Sequence, residues 1–135
     1  MKDFQRLTVW EKAHALTLAT YHATATFPRE ETYGLRSQMR RCSASVAANI
    51  AEGCGRTGNG DFHRFLNMAA GSCFELEYFL LLSRDLDFVP SHLFKQLTAD
   101  AREVQRMLAS LLRRLESSRR ESQPDKTQVL PMANP

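Results

Sequence analysis

Residues 49–62, NIAEGCGRTGNGDF, contain Gly53-Cys54-Gly55-Arg56-Thr57-Gly58, which satisfies the pattern G-x-G-x-x-G. In a dinucleotide-binding unit those glycines follow a buried strand, open a helix and bring its N-terminus to a pyrophosphate. The residues ahead of them, SASVAANIAE (43–52), repeat their apolar side chains with helical spacing and are too alanine-rich for a buried strand. The third glycine has no strand to pack a helix against. Asp61 supplies a carboxylate at the next helix start, where a phosphate would otherwise sit. The loop therefore reads as a hinge between two helices, with Gly53 ending the first of them at φ > 0.

Working outward, the pattern predicts four amphipathic helices and no strand. The first spans about Thr8 to Thr26, with Thr8-x-x-Glu11 as a capping box, Val9, Ala13, Leu16, Thr20, Ala23 and Phe27 as the buried stripe, and Pro28 as terminator. The second starts between Glu31 and Leu35, runs to Glu52, and buries Leu35, Met39, Cys42, Val46 and Ile50. The third runs from Asp61 to about Asp85 and is apolar on more than one face, so it must be covered on several sides. The fourth starts at Ser91 and carries Phe94, Leu97, Ala101, Val104, Leu108, Leu111 and Leu115, a knobs-into-holes seam. Short connections make neighbours antiparallel. The expected fold is all-α: an antiparallel up-down-up-down four-helix bundle over 1–116, followed by a flexible polar tail over 117–135 containing Pro124 and Pro131.

One domain is what 135 residues accommodate. Cys42, Cys54 and Cys73 form no C-x-x-C pair and read as reduced thiols. With no signal-like N-terminus and no apolar run of membrane length, a soluble cytoplasmic protein without membrane contact is expected. Of 18 basic and 15 acidic residues, RRLESSRR (113–120) takes four and one, leaving 14 of each for the remainder. The net charge of +3 is thus local to the end of the fourth helix, a weak footprint for nucleic acid.

No catalytic constellation stands out. A di-iron bundle uses paired Glu-x-x-His motifs, whereas only Glu11-Lys12-Ala13-His14 matches here. His14, His22, His63 and His92 have no ligand spacing, and no G-x-S-x-G elbow marks a nucleophile. Neither a cofactor, a metal nor a small-molecule substrate is expected, and the chain reads as a non-enzyme.

Two readings compete for the polar residues. Asn49, Glu52 and Glu75 with Arg40 and Arg41 could form a partly buried network that fixes helix register. Alternatively Arg36, Arg40 and Arg41, one turn apart, form a phosphate-contacting ridge to which Arg56 adds. Arg113, Arg114, Arg119 and Arg120 either solvate a helix end or contact nucleic acid. The surplus apolar residues Phe74, Tyr78, Phe79 and Leu81, with Trp10 and Tyr21 on the first helix, exceed one bundle seam and mark a self-association surface.

The stretches FQRLTVWEKAHAL (4–16), FPREETYGLRSQMRRCSASVAANIAEGCGR (27–56) and FHRFLNMAAGSCFELE (62–77) resemble the bacterial four-helix-bundle family first noticed as reading frames within intervening sequences of large-subunit ribosomal RNA. The resemblance covers residues 4 to about 115. Its pattern falls on Tyr33, Gly34, Leu35, Gln38, Arg40, Arg41, Asn49, Glu52, Gly53, Arg56, Gly71, Ser72 and Glu75. It implies a homopentameric ring with no established catalytic activity. A related branch, the accessory proteins of diversity-generating retroelements, comprises basic pentamers that bind a reverse transcriptase and nucleic acid; the neutral body of this chain departs from it. The expected function is a non-enzymatic homo-oligomer with RNA or a nucleoprotein as partner, the alternatives being a purely structural scaffold and an enzyme with an unrecognised, for example metal-dependent, site.

Overall fold

A computed structural model describes residues 1–122. Four helices make up the fold: α1 Thr8–Thr24, α2 Leu35–Gly55, α3 Asn59–Asp85 and α4 Ser91–Ser122, with short 3-10 turns at Phe4–Arg6 and Arg29–Glu31. Among the described residues there is no strand, and the segment ahead of Gly53 is helical. α4 passes the expected 116 boundary by six residues; the remainder of the expected tail lies outside the described residues.

The apolar stripes meet in one core. Leu16, Met39, Val46, Ile50, Leu66, Leu76, Leu80, Leu97, Val104 and Leu108 are its largest aliphatic members. Thr20, a member of the expected stripe, and Thr24, whose polarity disguises it, are also fully buried. Each hydroxyl donates 2.8 Å back to the carbonyl four residues earlier, at Leu16 and Thr20, so no polar atom is stranded. Between neighbours, residue numbers rise on one helix as they fall on the other. Thr17 meets Ser43, and Arg40 meets Thr24. Cys42 meets Ser72, and Met39 meets Ser83. Cys73 meets Ala101, and His63 meets Glu116.

The helix ends depart from the sequence pattern. Thr8 is the first helical residue of α1 and Leu7 occupies its cap without a side-chain bond, so the Thr8–Glu11 capping box is absent. Asp3 instead caps the preceding 3-10 turn, accepting from the Gln5 amide at 3.1 Å. α1 stops at Thr24, two residues short of Thr26. The start of α2 is held from outside, where Glu31 Oε2 accepts from the Leu35 amide at 2.8 Å. α3 opens two residues before Asp61 with Gly58 at its cap, and Asp61 stays in the first turn, 3.6 Å from Arg64. The connection to α4 turns at Asp87, whose φ of 60° is a conformation aspartate tolerates better than most residues.

Gly53 is the sharpest correction. It does not end α2 at positive φ; the helix continues through it to Gly55. Its role is close approach: a Cβ there would lie 3.0 Å from the Phe65 Cβ and 3.1 Å from the Phe62 ring. We expect Gly53→Val to lower stability by about 1–3 kcal/mol through overpacking, read as a fall in the urea midpoint without a change in slope.

By length and composition α3 could cross a membrane. Here its buried positions, from Phe62 to Ser83, face α2 and α4 and form the centre of the core.

Candidate interaction surfaces

The packing of α2 on α3 leaves an open polar groove of about 490 Å³. Tyr33, Ser37, Gln38, Arg41, Cys42 and Ser45 line it from the α2 side, and Ser72 and Glu75 line it from α3. At its base the Ser45 and Ser72 hydroxyls meet at 2.9 Å, and the Asn49 side-chain amide donates to the Ser45 carbonyl and hydroxyl at 2.8 and 2.9 Å. Asn49 therefore joins a serine pair that ties α2 to α3, and does not reach Glu52 or Glu75. Glu52 is exposed and pairs with Arg56 at 3.1 Å. Glu75 stands at the groove wall, exposed, with no ion pair among the described residues.

The arginines of α2 do not form one ridge. Arg36 Nη2 donates to the Phe27 carbonyl at 2.7 Å, while its Nε is buried without a partner. Arg40 Nε donates to the Thr24 hydroxyl at 2.9 Å and Nη2 to the Tyr21 carbonyl at 3.2 Å, with the guanidinium 4.7 Å above the Tyr21 ring. Arg40 thus clamps the C-terminal end of α1, whose last carbonyls carry partial negative charge and lack helical partners, while Arg36 holds the chain just after it. Arg41 alone of the three is exposed, toward the groove. Arg56 lies 5.1 Å over Phe65 besides its Glu52 contact. Arg113 and Arg114 are exposed on α4, and Arg114 borders a cleft of about 430 Å³ with Arg6, Val9, Met107 and Leu111. Removing Arg40 should cost about 1–3 kcal/mol, because the buried Thr24 hydroxyl and the end of α1 lose a charged donor; Arg41→Gln should leave the thermal midpoint within about 1 °C.

The apolar candidates separate into two kinds. Trp10 is half-buried, with its ring 5.0 Å from both Phe4, edge-on, and His14, stacked. Phe79 is likewise half-buried against the core. Phe74, Tyr78 and Leu81 keep 60%, 57% and 39% of their surface in solvent, one turn apart along the outer face of α3. They border a cleft of about 260 Å³ shared with Phe94, Thr98 and Arg102 of α4. Tyr21 and Leu18 form a second exposed apolar spot on α1, at 43% and 50%.

The described residues contain no cluster of three His, Cys, Asp or Glu placed to hold a metal ion. Burial, reinforced by Glu75, pushes the Cys42 thiol up to about 12, and burial with Glu77 does the same to Cys73. Thiols held protonated are poor nucleophiles. Several contacts escaped sequence reasoning altogether: Lys12–Glu103 at 3.1 Å, His63–Glu116 at 3.1 Å, and Glu77, which accepts from Gln105 at 2.9 Å and pairs with Arg102 at 3.5 Å. Each joins residues distant in sequence, where no spacing rule applies.

Among curated proteins, nothing matches the chain. A solved structure described as a protein of unknown function from the S23 ribosomal protein family of Bacteroides thetaiotaomicron superposes with a TM-score of 0.71. It is 22% identical, and the match covers 78% of this chain and 98% of that one, which is a likeness of fold. The sequence model described as the 23S rRNA-intervening sequence protein matches residues 5–110, and the chain belongs to that family.

Proposed function

We propose that this protein is a non-enzymatic, cytoplasmic, self-assembling antiparallel bundle that closes into a ring, a pentamer by resemblance to its family, and serves as an interaction platform for RNA or a nucleoprotein. The observation that carries the reading is the stripe Phe74–Tyr78–Leu81, exposed on α3 beside a shallow apolar cleft. Contiguous apolar surface of this kind is usually covered by another protein surface. A ring requires two different patches on each subunit, and Leu18 with Tyr21 on α1 supplies the second. The descending contacts between neighbouring helices support the up-down-up-down arrangement. Light scattering on the purified protein at micromolar concentration tests the reading. A mass of several subunits is expected, and a single-subunit mass overturns it.

The nucleic-acid part needs a different surface from the one the sequence suggests, because Arg36 is committed to the Phe27 carbonyl, Arg40 to α1 and Arg56 to Glu52, which leaves Arg41 by itself. Exposed arginines persist on α4.

A further inference from the structure

α4 sorts its side chains by chemistry around its circumference. Leu97, Ala101, Val104 and Leu108 turn into the core. The acidic residues Asp100 and Glu103 turn toward α1, where they line a small cleft with Lys12 and where Glu103 pairs with that lysine. Glu116 turns toward α3 and meets His63. At 100° per residue, Lys95, Arg102, Arg106, Arg113 and Arg120 fall within about 40° of one another, opposite the core stripe. All five are exposed. Arg102 leans on Glu77 at 3.5 Å, while Lys95, Arg106, Arg113 and Arg120 form no ion pair among the described residues. At 1.5 Å per residue the row is about 38 Å long.

We infer that this cationic row on α4 is a binding surface for the phosphate backbone of duplex nucleic acid, read without sequence preference. The inference rests on the nucleic-acid part of the proposed function and moves it from α2 to α4. Three features select the occupant. A straight, rigid row of cations matches the regular charge of a duplex backbone, to which positioning contacts carry no sequence information. Arg102 borders the exposed rings Phe74 and Tyr78, but these belong to the proposed subunit contact and are not open to an unstacked base of a single strand. An anionic membrane would require an apolar face beside the cations to enter the headgroup region; the apolar face of α4 is consumed by the bundle, and the neighbouring α3 stripe by the proposed subunit contact.

The test is fluorescence anisotropy of the full-length protein with a labelled 20-base-pair RNA duplex of arbitrary sequence between 50 and 200 mM salt. Four free cations predict a slope of about 3.6 in log Kd against log salt, a loss of about 150-fold over that range. Arg106→Gln with Arg113→Gln should lower the slope by about 1.8, whereas Arg41→Gln in the α2–α3 groove should leave it unchanged. Both substituted arginines are solvent-facing, and circular dichroism checks that the variant stays folded. Duplex binding whose slope the double variant does not alter overturns the α4 site and leaves the nucleic-acid reading standing. No binding at 50 mM overturns both, while the oligomer mass from light scattering reports on assembly independently. Tighter binding to the single strand, or to phosphatidylserine vesicles, overturns the duplex assignment.

Discussion

Phe74→Glu combined with Tyr78→Glu is expected to convert the assembly into single subunits without unfolding them. Both side chains point away from the core, so the folded subunit should keep its stability to within about 1 kcal/mol. Their contribution lies between subunits. With more than half of each ring in solvent, covering both removes roughly 200–250 Å² of apolar surface from water, worth about 5–6 kcal/mol at ~25 cal/mol per Å². Two carboxylates at the same place also lose hydration on association, and the α3 face already carries Glu75 and Glu77. Subunit affinity should fall by at least a thousandfold. Light scattering and circular dichroism measure both halves of the expectation. Phe74→Leu with Tyr78→Phe, which preserves the apolar character, should retain the parent mass. Were the glutamate variant to keep that mass at micromolar concentration, the α3 stripe would not be the interface.

The second large effect is alkaline. Cys42 and Cys73 titrate near 12 in the folded protein, against an ordinary value near 9, because burial disfavours both thiolates. The folded state thus holds these two protons more tightly than the unfolded state. Their stabilising contribution is fully present below pH 9 and is lost as pH rises from 9 through 12. With two protons at stake the slope reaches about 2.7 kcal/mol per pH unit, enough to consume an ordinary domain stability within that window. Urea midpoints at pH 8, 9, 10 and 11 should show a plateau and then a steep fall. Cys42→Ala with Cys73→Ala should start lower, from the lost packing, and fall less steeply. Equal slopes in the two proteins would contradict an origin in Cys42 and Cys73.

Much of this architecture can be read from spacing. The seam of α4 from Leu97 to Leu108 and the stripe of α2 from Leu35 to Ile50 are buried as their periodicity requires. The exposed α3 residues are legible for the same reason: an α3 apolar most of the way round has more greasy surface than α2 and α4 can cover. Ends and polar partners are another matter. Glu31 caps α2 from the turn before it, while Arg36 is spent on the Phe27 carbonyl and Arg40 on the end of α1. The two arginine contacts do not follow from residues three or four apart.

What the linear chain determined by itself is the number of helices, their buried faces and the excess apolar surface, because helix periodicity converts local spacing directly into a face. Tertiary structure alone decided which charges are free. Gly53 packs under Phe62 and Phe65 instead of ending a helix, and the cations left to solvent in a row stand on α4, whereas Arg36 and Arg40 of α2 are drawn in and Arg41 is left exposed by itself. Both outcomes depend on which backbone or side chain another helix brings within a few ångströms, and that proximity is created only when the helices pack.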